Sequence, residues 1–103
     1  MPTRRSYGDA CGIARALDVV GERWALLVVR ELLLGALRFS DLRRALPNAS
    51  SNLIADRLRD LEDRGVVARR TLPRPAGSPV SELTASGRDL EPLVLALGHW
   101  GRP

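Results

Sequence analysis

The chain has 103 residues, 45% of them apolar, with 16 basic and 12 acidic residues and a formal charge of +4. A length like this makes one small domain, whose limited buried surface would benefit from a partner chain. A single Cys and a single His exclude a disulfide framework, a cysteine-rich zinc site and a histidine pair for metal or proton relay, so no metal and no cofactor is expected.

Residues 1–10 are polar and aperiodic and read as a flexible arm, leaving 11–103 as the folded domain. Within the arm, Arg4-Arg5 runs into Ser6-Tyr7-Gly8-Asp9 rather than an apolar stretch, so no export signal is read. No apolar run approaches the ~20 residues of a membrane span. The expected location is therefore the cytoplasm, away from any membrane. Ile13, Leu17 and Val20 follow the i, i+4, i+7 rule of an amphipathic helix that stops at Gly21. Trp24 to Leu34 is apolar nearly all round, interrupted only by Arg30 and Glu31, which predicts a buried central helix stopped by Gly35.

Phe39-Ser40-Asp41-Leu42 opens a third, short helix, with Ser40 or Asp41 capping its first turn and Pro47 ending it. Asn48-Ala49-Ser50 is a turn, and Ser50 or Ser51 caps a fourth helix. Its inner stripe is Ile54, Leu58 and Leu61; Asn52, Ala55, Asp56, Arg59 and Asp63 fall outside. Gly65 ends it, with Val66 placed to meet Leu61 in a Schellman stop.

The period then changes. Val66 to Leu72 is β-branched and loosely alternating, a strand. Residues 73–79 hold three prolines and a glycine and form a loop, and Val80 to Leu83 is the return strand. Thr84 caps a last helix with Leu90, Leu93, Val94, Leu97 and Trp100 on one stripe and Leu95 outside it; Pro92 kinks this helix or delays its regular part.

The fold class expected is mainly α with a small β-hairpin: a helix-turn-helix followed by a wing, flanked by N- and C-terminal helices. A capped helix with short polar residues at its start can enter the major groove. There Ser50, Ser51 and Asn52 allow close approach, with Asn suited to an adenine edge. Arg74 at the tip of the proline-held loop reaches a neighbouring groove, with Arg69 and Arg70 on the strand before it. The DNA-facing set is Arg38, Ser40 and Arg43 from the third helix, Ser50, Ser51, Asn52, Ala55, Asp56 and Arg59 from the fourth, and Arg74. The plainer reading makes the serines caps and pairs Arg57 and Arg59 with neighbouring carboxylates along the helix, with Arg57 structural. Charge is uneven in the same sense. Residues 38–74 hold nine arginines against five acids, whereas the stretches on either side come close to balance. Every basic residue is Arg, which suits phosphate and guanine and equally fits a GC-rich coding bias.

Taken together, these residues resemble the HxlR-type winged helix-turn-helix transcriptional regulators of bacteria. The likeness is carried by the run from Cys11 through Leu33, especially Ala16-Leu17-Asp18, Trp24, Leu27 and Arg30-Glu31-Leu32. It continues through Arg38 to Arg43, Leu46-Pro47, Arg57 to Glu62, Gly65-Val66-Val67, Arg69-Arg70, Leu83-Thr84 and Gly87, spanning roughly residues 10–101. Three positions depart from the family pattern: Gly12 where members often have Pro, Ser81 where many have Tyr, and Asn52 where many have Lys. The last departure bears on the operator sequence rather than on the binding mode.

The resemblance implies a homodimer through the first and last helices, a palindromic operator, repression of nearby genes, and for Cys11 a place shared with thiol-based sensors. The rest of the chain agrees on two points. The apolar last helix has nothing left in the sequence to cover both sides, and a Cys at a helix N-terminus favours the thiolate. Cys11 is then either an oxidant sensor or a small packed residue at the dimer seam. A small-molecule effector has no residue that names it. The alternative function is a winged-helix protein-interaction module without specific DNA binding. An enzyme is not expected, because His99 and Cys11 supply no catalytic constellation.

Overall fold

The computed structural model describes residues 6–103. The expected arm over 1–10 therefore lies partly outside the described residues; Ser6 to Ala10 carry no regular structure, and Tyr7 N–H donates to Asp18 Oδ1 at 2.9 Å.

The first helix, α1, spans Gly12–Val20 and ends at Gly21. Its apolar stripe is only partly used: Val20 is buried, but Ile13 and Leu17 remain exposed among the described residues. The central helix α2 covers Ala25–Leu32, shorter at both ends than the hydrophobic run suggests. Trp24 holds a left-handed backbone, φ 76°, and so precedes the helix rather than joining it. At the other end Leu33 N–H is shared between the carbonyls of Val29 and Arg30, and Leu34 turns out to solvent. Ala25, Val28, Val29 and Leu32 form the buried face, while Leu27 is exposed, so α2 is one-sided rather than buried all round.

The helix-turn-helix follows as α3, Phe39–Ala45, and α4, Ser51–Asp63. Neither Ser40 nor Asp41 is the cap of α3. Arg38 holds that position, and Asp41, three residues on, accepts its backbone N–H at 3.2 Å. Ser50 caps α4, its Oγ accepting from Leu53 N–H at 3.1 Å. The end of α4 is a Schellman stop. Gly65 is left-handed at φ 77°, Val66 N–H donates to Leu61 O at 2.9 Å and Gly65 N–H to Glu62 O at 3.1 Å. Ile54, Leu58 and Leu61 are buried and meet Leu42, Val28 and Val29 in the centre of the core.

Strands β1, Val67–Thr71, and β2, Pro79–Leu83, pair antiparallel with Val67 opposite Leu83 and Arg69 opposite Ser81. A bridge joins Leu37 to Ser81 on the other edge of β2, with hydrogen bonds of 3.0 and 2.8 Å in the two directions. This bridge ties the α2–α3 linker to the hairpin, so the wing is braced against the helix-turn-helix.

The single last helix read from the sequence is two: α5, Ala85–Arg88, capped by Thr84, and α6, Glu91–Trp100. Pro92 lies in the first turn of α6, where its missing N–H costs nothing; this marks a helix start, not a kink. Gly87 is buried, and an added Cβ would lie 2.2 Å from the Val66 carbonyl oxygen, so the close approach of the two backbones requires glycine there. Leu90 and Val94 lean on the core, and no residue of α6 is fully buried.

Candidate nucleic-acid interface

The start of α4 carries a side-chain cap and an exposed Asn52. Ser50 is committed to its capping hydrogen bond, so its hydroxyl is tied to the helix. Asn52, Asp56 and Arg59 follow i, i+4, i+7 and are all exposed, on the face opposite Ile54, Leu58 and Leu61. Asp63 extends the same line. Ser51 and Ala55 flank this stripe and are half-buried.

The arginines divide into held and free. Arg59 donates to the Asp56 carboxylate one turn back. Arg69 pairs with Glu62 at 3.3 Å and Arg70 with Glu82 at 2.8 Å. On α3, Asp41 receives both Arg38 and Arg44, at 3.4 and 3.3 Å. The Arg38 backbone N–H, foremost, with the Arg38 and Arg44 guanidinium groups, holds the Asp41 carboxyl below its ordinary range, against a smaller opposing effect of burial. Arg57 is half-buried with its Nε enclosed and without a hydrogen-bond partner, in keeping with a structural place. On α3 and the hairpin turn, Arg43 and Arg74 are exposed with no ion pair among the described residues, and Ser40 is exposed near Arg43. Arg74 lies in the 73–78 turn at the mouth of an open depression lined also by Thr71, Leu72, Pro75 and Gly77.

Two features were not drawn from the sequence. The basic excess of residues 38–74 does not belong to α4, which holds four acids against two arginines; it lies on α3 and the hairpin, to either side. That distribution is readable in the sequence once the segment is divided at the helix ends. The Leu37–Ser81 bridge, by contrast, has no side-chain signature.

Away from this face, the apolar residues of the last helix separate. Leu93, Leu97 and Trp100 are exposed, as is Leu95, while Leu90 and Val94 are spent on the chain's own core. Cys11 is exposed; its Sγ accepts Ala14 N–H at 3.3 Å as the cap of α1, and its own N–H donates to Asp9 Oδ1 at 2.8 Å. Among the described residues no group of His, Cys, Asp and Glu could hold a metal, and no helix is long and apolar enough to cross a membrane.

Comparison with known proteins agrees with this geometry. The HxlR-like helix-turn-helix family matches residues 19–103. The HTH-type transcriptional regulator YvaP of Bacillus subtilis is 37% identical over 86 residues, covering 84% of this chain and 80% of that protein. The regulator sll1512 of Synechocystis is 35% identical over 91% of this chain and 70% of its own length. Among solved structures, the redox regulator HypR in its oxidised form superposes with a TM-score of 0.81 at 33% identity, covering 88% of this chain and 94% of that one. Reduced YodB of B. subtilis gives 0.78 at 28% identity, covering 89% and 91%. A MarR-family regulator of Porphyromonas gingivalis, 21% identical with a TM-score of 0.83, shares the fold. The chain is a member of the HxlR-like helix-turn-helix family: a DNA-binding transcriptional regulator of winged-helix type, and not an enzyme.

Proposed function

We propose that this regulator acts as a homodimeric repressor on a palindromic operator, with α4 of each copy in the major groove and the Arg74 turn beside it. The observation that carries this reading is the exposed stripe Asn52–Asp56–Arg59, set behind the Ser50 cap and flanked by the unpaired Arg43 and Arg74. Asn52 is suited to an adenine edge, while Ser51 and Ala55, at its side, let the backbone come close. Arg43 and Arg74 meet phosphates, with Arg38 and Ser40 next to Arg43. The dimer closes through α1 and α6, whose Ile13, Leu17, Leu93, Leu97 and Trp100 this chain leaves uncovered. Two half-sites then lie about one helical turn, roughly 34–36 Å, apart. Footprinting on DNA upstream of this chain's gene and its neighbours is the test. A protected pair of inverted half-sites supports the reading; uniform weak protection at low salt contradicts it.

A second reading concerns regulation at Cys11. It is favoured by the exposed thiol at the N-terminus of α1, and the relatives HypR, a redox regulator, and YodB, solved with a bound quinone, point the same way. An oxidant such as diamide takes two electrons and two protons from the Cys11 thiol and a second thiol, joining them as a disulfide. The second thiol comes from the other subunit, with Cα atoms within about 7 Å, or from a small molecule. DNA binding by the parent should change on mild oxidation and that of Cys11→Ser should not. Equal responses remove Cys11 from the mechanism and leave it a packing residue.

A further inference from the structure

We propose that Asp56 is the discriminating residue of α4: it keeps Arg59 from the phosphates and penalises any duplex that offers its carboxylate no donor. The inference rests on α4 being the recognition helix and assigns one of its residues a role opposite to attraction. It starts from the charge of α4, where Asp56, Asp60, Glu62 and Asp63 outnumber Arg57 and Arg59. Arg57 is half-buried off the outer face, so Arg59 is the cation of the outer stripe, and Asp56 holds it. Both partners are more than half exposed, at 55% and 65%, and an exposed i, i+3 pair contributes little to stability. Packing therefore does not account for an acid at this place, one turn beyond Asn52 and in line with it.

A phosphate-rich surface repels the Asp56 carboxylate. An approach becomes favourable where base edges donate to it. The Asp56 carboxylate has acceptor capacity beyond its contact with Arg59, and cytosine N4 or adenine N6 can donate to it. The Arg59 guanidinium, held in one orientation, still presents N–H groups to guanine O6 and N7. Sequence-independent attraction comes from elsewhere, from Arg43 on α3 and Arg74 on the wing. The two functions are thus physically separated: cations at the flanks hold the duplex, and the Asp56–Arg59 pair of α4 admits only matching base pairs.

The test compares the parent, Asp56→Asn, Arg59→Ala and the double variant, each checked for an unchanged circular dichroism spectrum. The best duplex is first selected from a random-sequence pool by the parent. Fluorescence anisotropy then measures binding to it and to an unrelated duplex of equal length over a range of salt. Asp56→Asn should bind the unrelated duplex several-fold more tightly, because Arg59 is released to a phosphate, with a salt slope steeper by about 0.9. It should also lose about tenfold or more of the parent's preference for the selected duplex, since a matched base contact is forfeited. The double variant should lose the gain on the unrelated duplex. If Asp56→Asn leaves the preference unchanged while Asn52→Ala alters it, α4 remains the reader and the role of Asp56 is overturned. If the parent selects no sequence at all, both this inference and the proposed operator fall.

Discussion

The Thr84 hydroxyl donates to the Gly65 carbonyl oxygen at 2.6 Å, joining the end of α4 to the start of α5. The Thr84 hydroxyl oxygen in turn accepts Gly87 N–H at 3.0 Å, and the Thr84 backbone N–H donates to Val66 O at 3.0 Å. One threonine therefore fixes the exit of α4, the base of the hairpin and the entry to the C-terminal helices. Thr84→Val removes the hydroxyl's hydrogen bonds while keeping the shape, and should destabilise the fold by about 1–3 kcal/mol. Chemical denaturation checks this; a change within a few tenths of a kcal/mol would mean that the junction is held by the backbone bond alone.

Asp41 predicts a pH dependence. Its carboxyl lies below the ordinary range in the folded chain, so folding favours the ionised form. The sign follows from linkage: this stabilisation is present above the usual carboxylate pKa and is lost as pH falls through the lowered value. Asp41→Asn should lower stability at neutral pH and reduce the loss seen on acidification. Denaturation midpoints at neutral and acid pH, measured on both proteins, provide the comparison. Parallel pH profiles would show that Asp41 is not the linked group.

The uncovered apolar residues of α1 and α6 predict association. Two copies burying Leu97, Trp100, Ile13 and Leu17 should hide more than about 1,000 Å² in total. The parent should sediment as a dimer at micromolar concentration, and Leu97→Glu as a folded monomer. A parent that sediments as a monomer at that concentration would refute the dimer.

The helix-turn-helix was legible because its boundaries are set by local chemistry. Ser50 caps and Gly65 terminates whatever surrounds them, and the Ile54–Leu58–Leu61 stripe fixes which side faces in. Features that depend on tertiary context were not. Trp24 belongs to the apolar run by composition, but its left-handed backbone excludes it from α2, and periodicity reads side chains rather than backbone angles. Leu37 and Ser81 meet through main-chain bonds that any residue pair can make. Ile13 and Leu17 obey a core-facing period, yet among the described residues both remain exposed. Of the candidate interface, the outward placing of Asn52 and Arg74 was legible in the sequence, whereas averaging charge over residues 38–74 hid the excess of acids over arginines in α4.

The central claim is that α4 reads sequence while the wing supplies attraction, and one binding panel separates the two. The parent, Asn52→Ala and Arg74→Ala are titrated against the footprinted operator and a set of single-base-pair variants at several salt concentrations. Arg74→Ala should weaken every duplex alike and lower the salt slope by about 0.9. Asn52→Ala should leave the slope unchanged and reorder the preference among duplexes, by about 1–3 kcal/mol at the contacted base pair. The same ranking of duplexes for Asn52→Ala and the parent would contradict the assignment of α4 as the recognition helix.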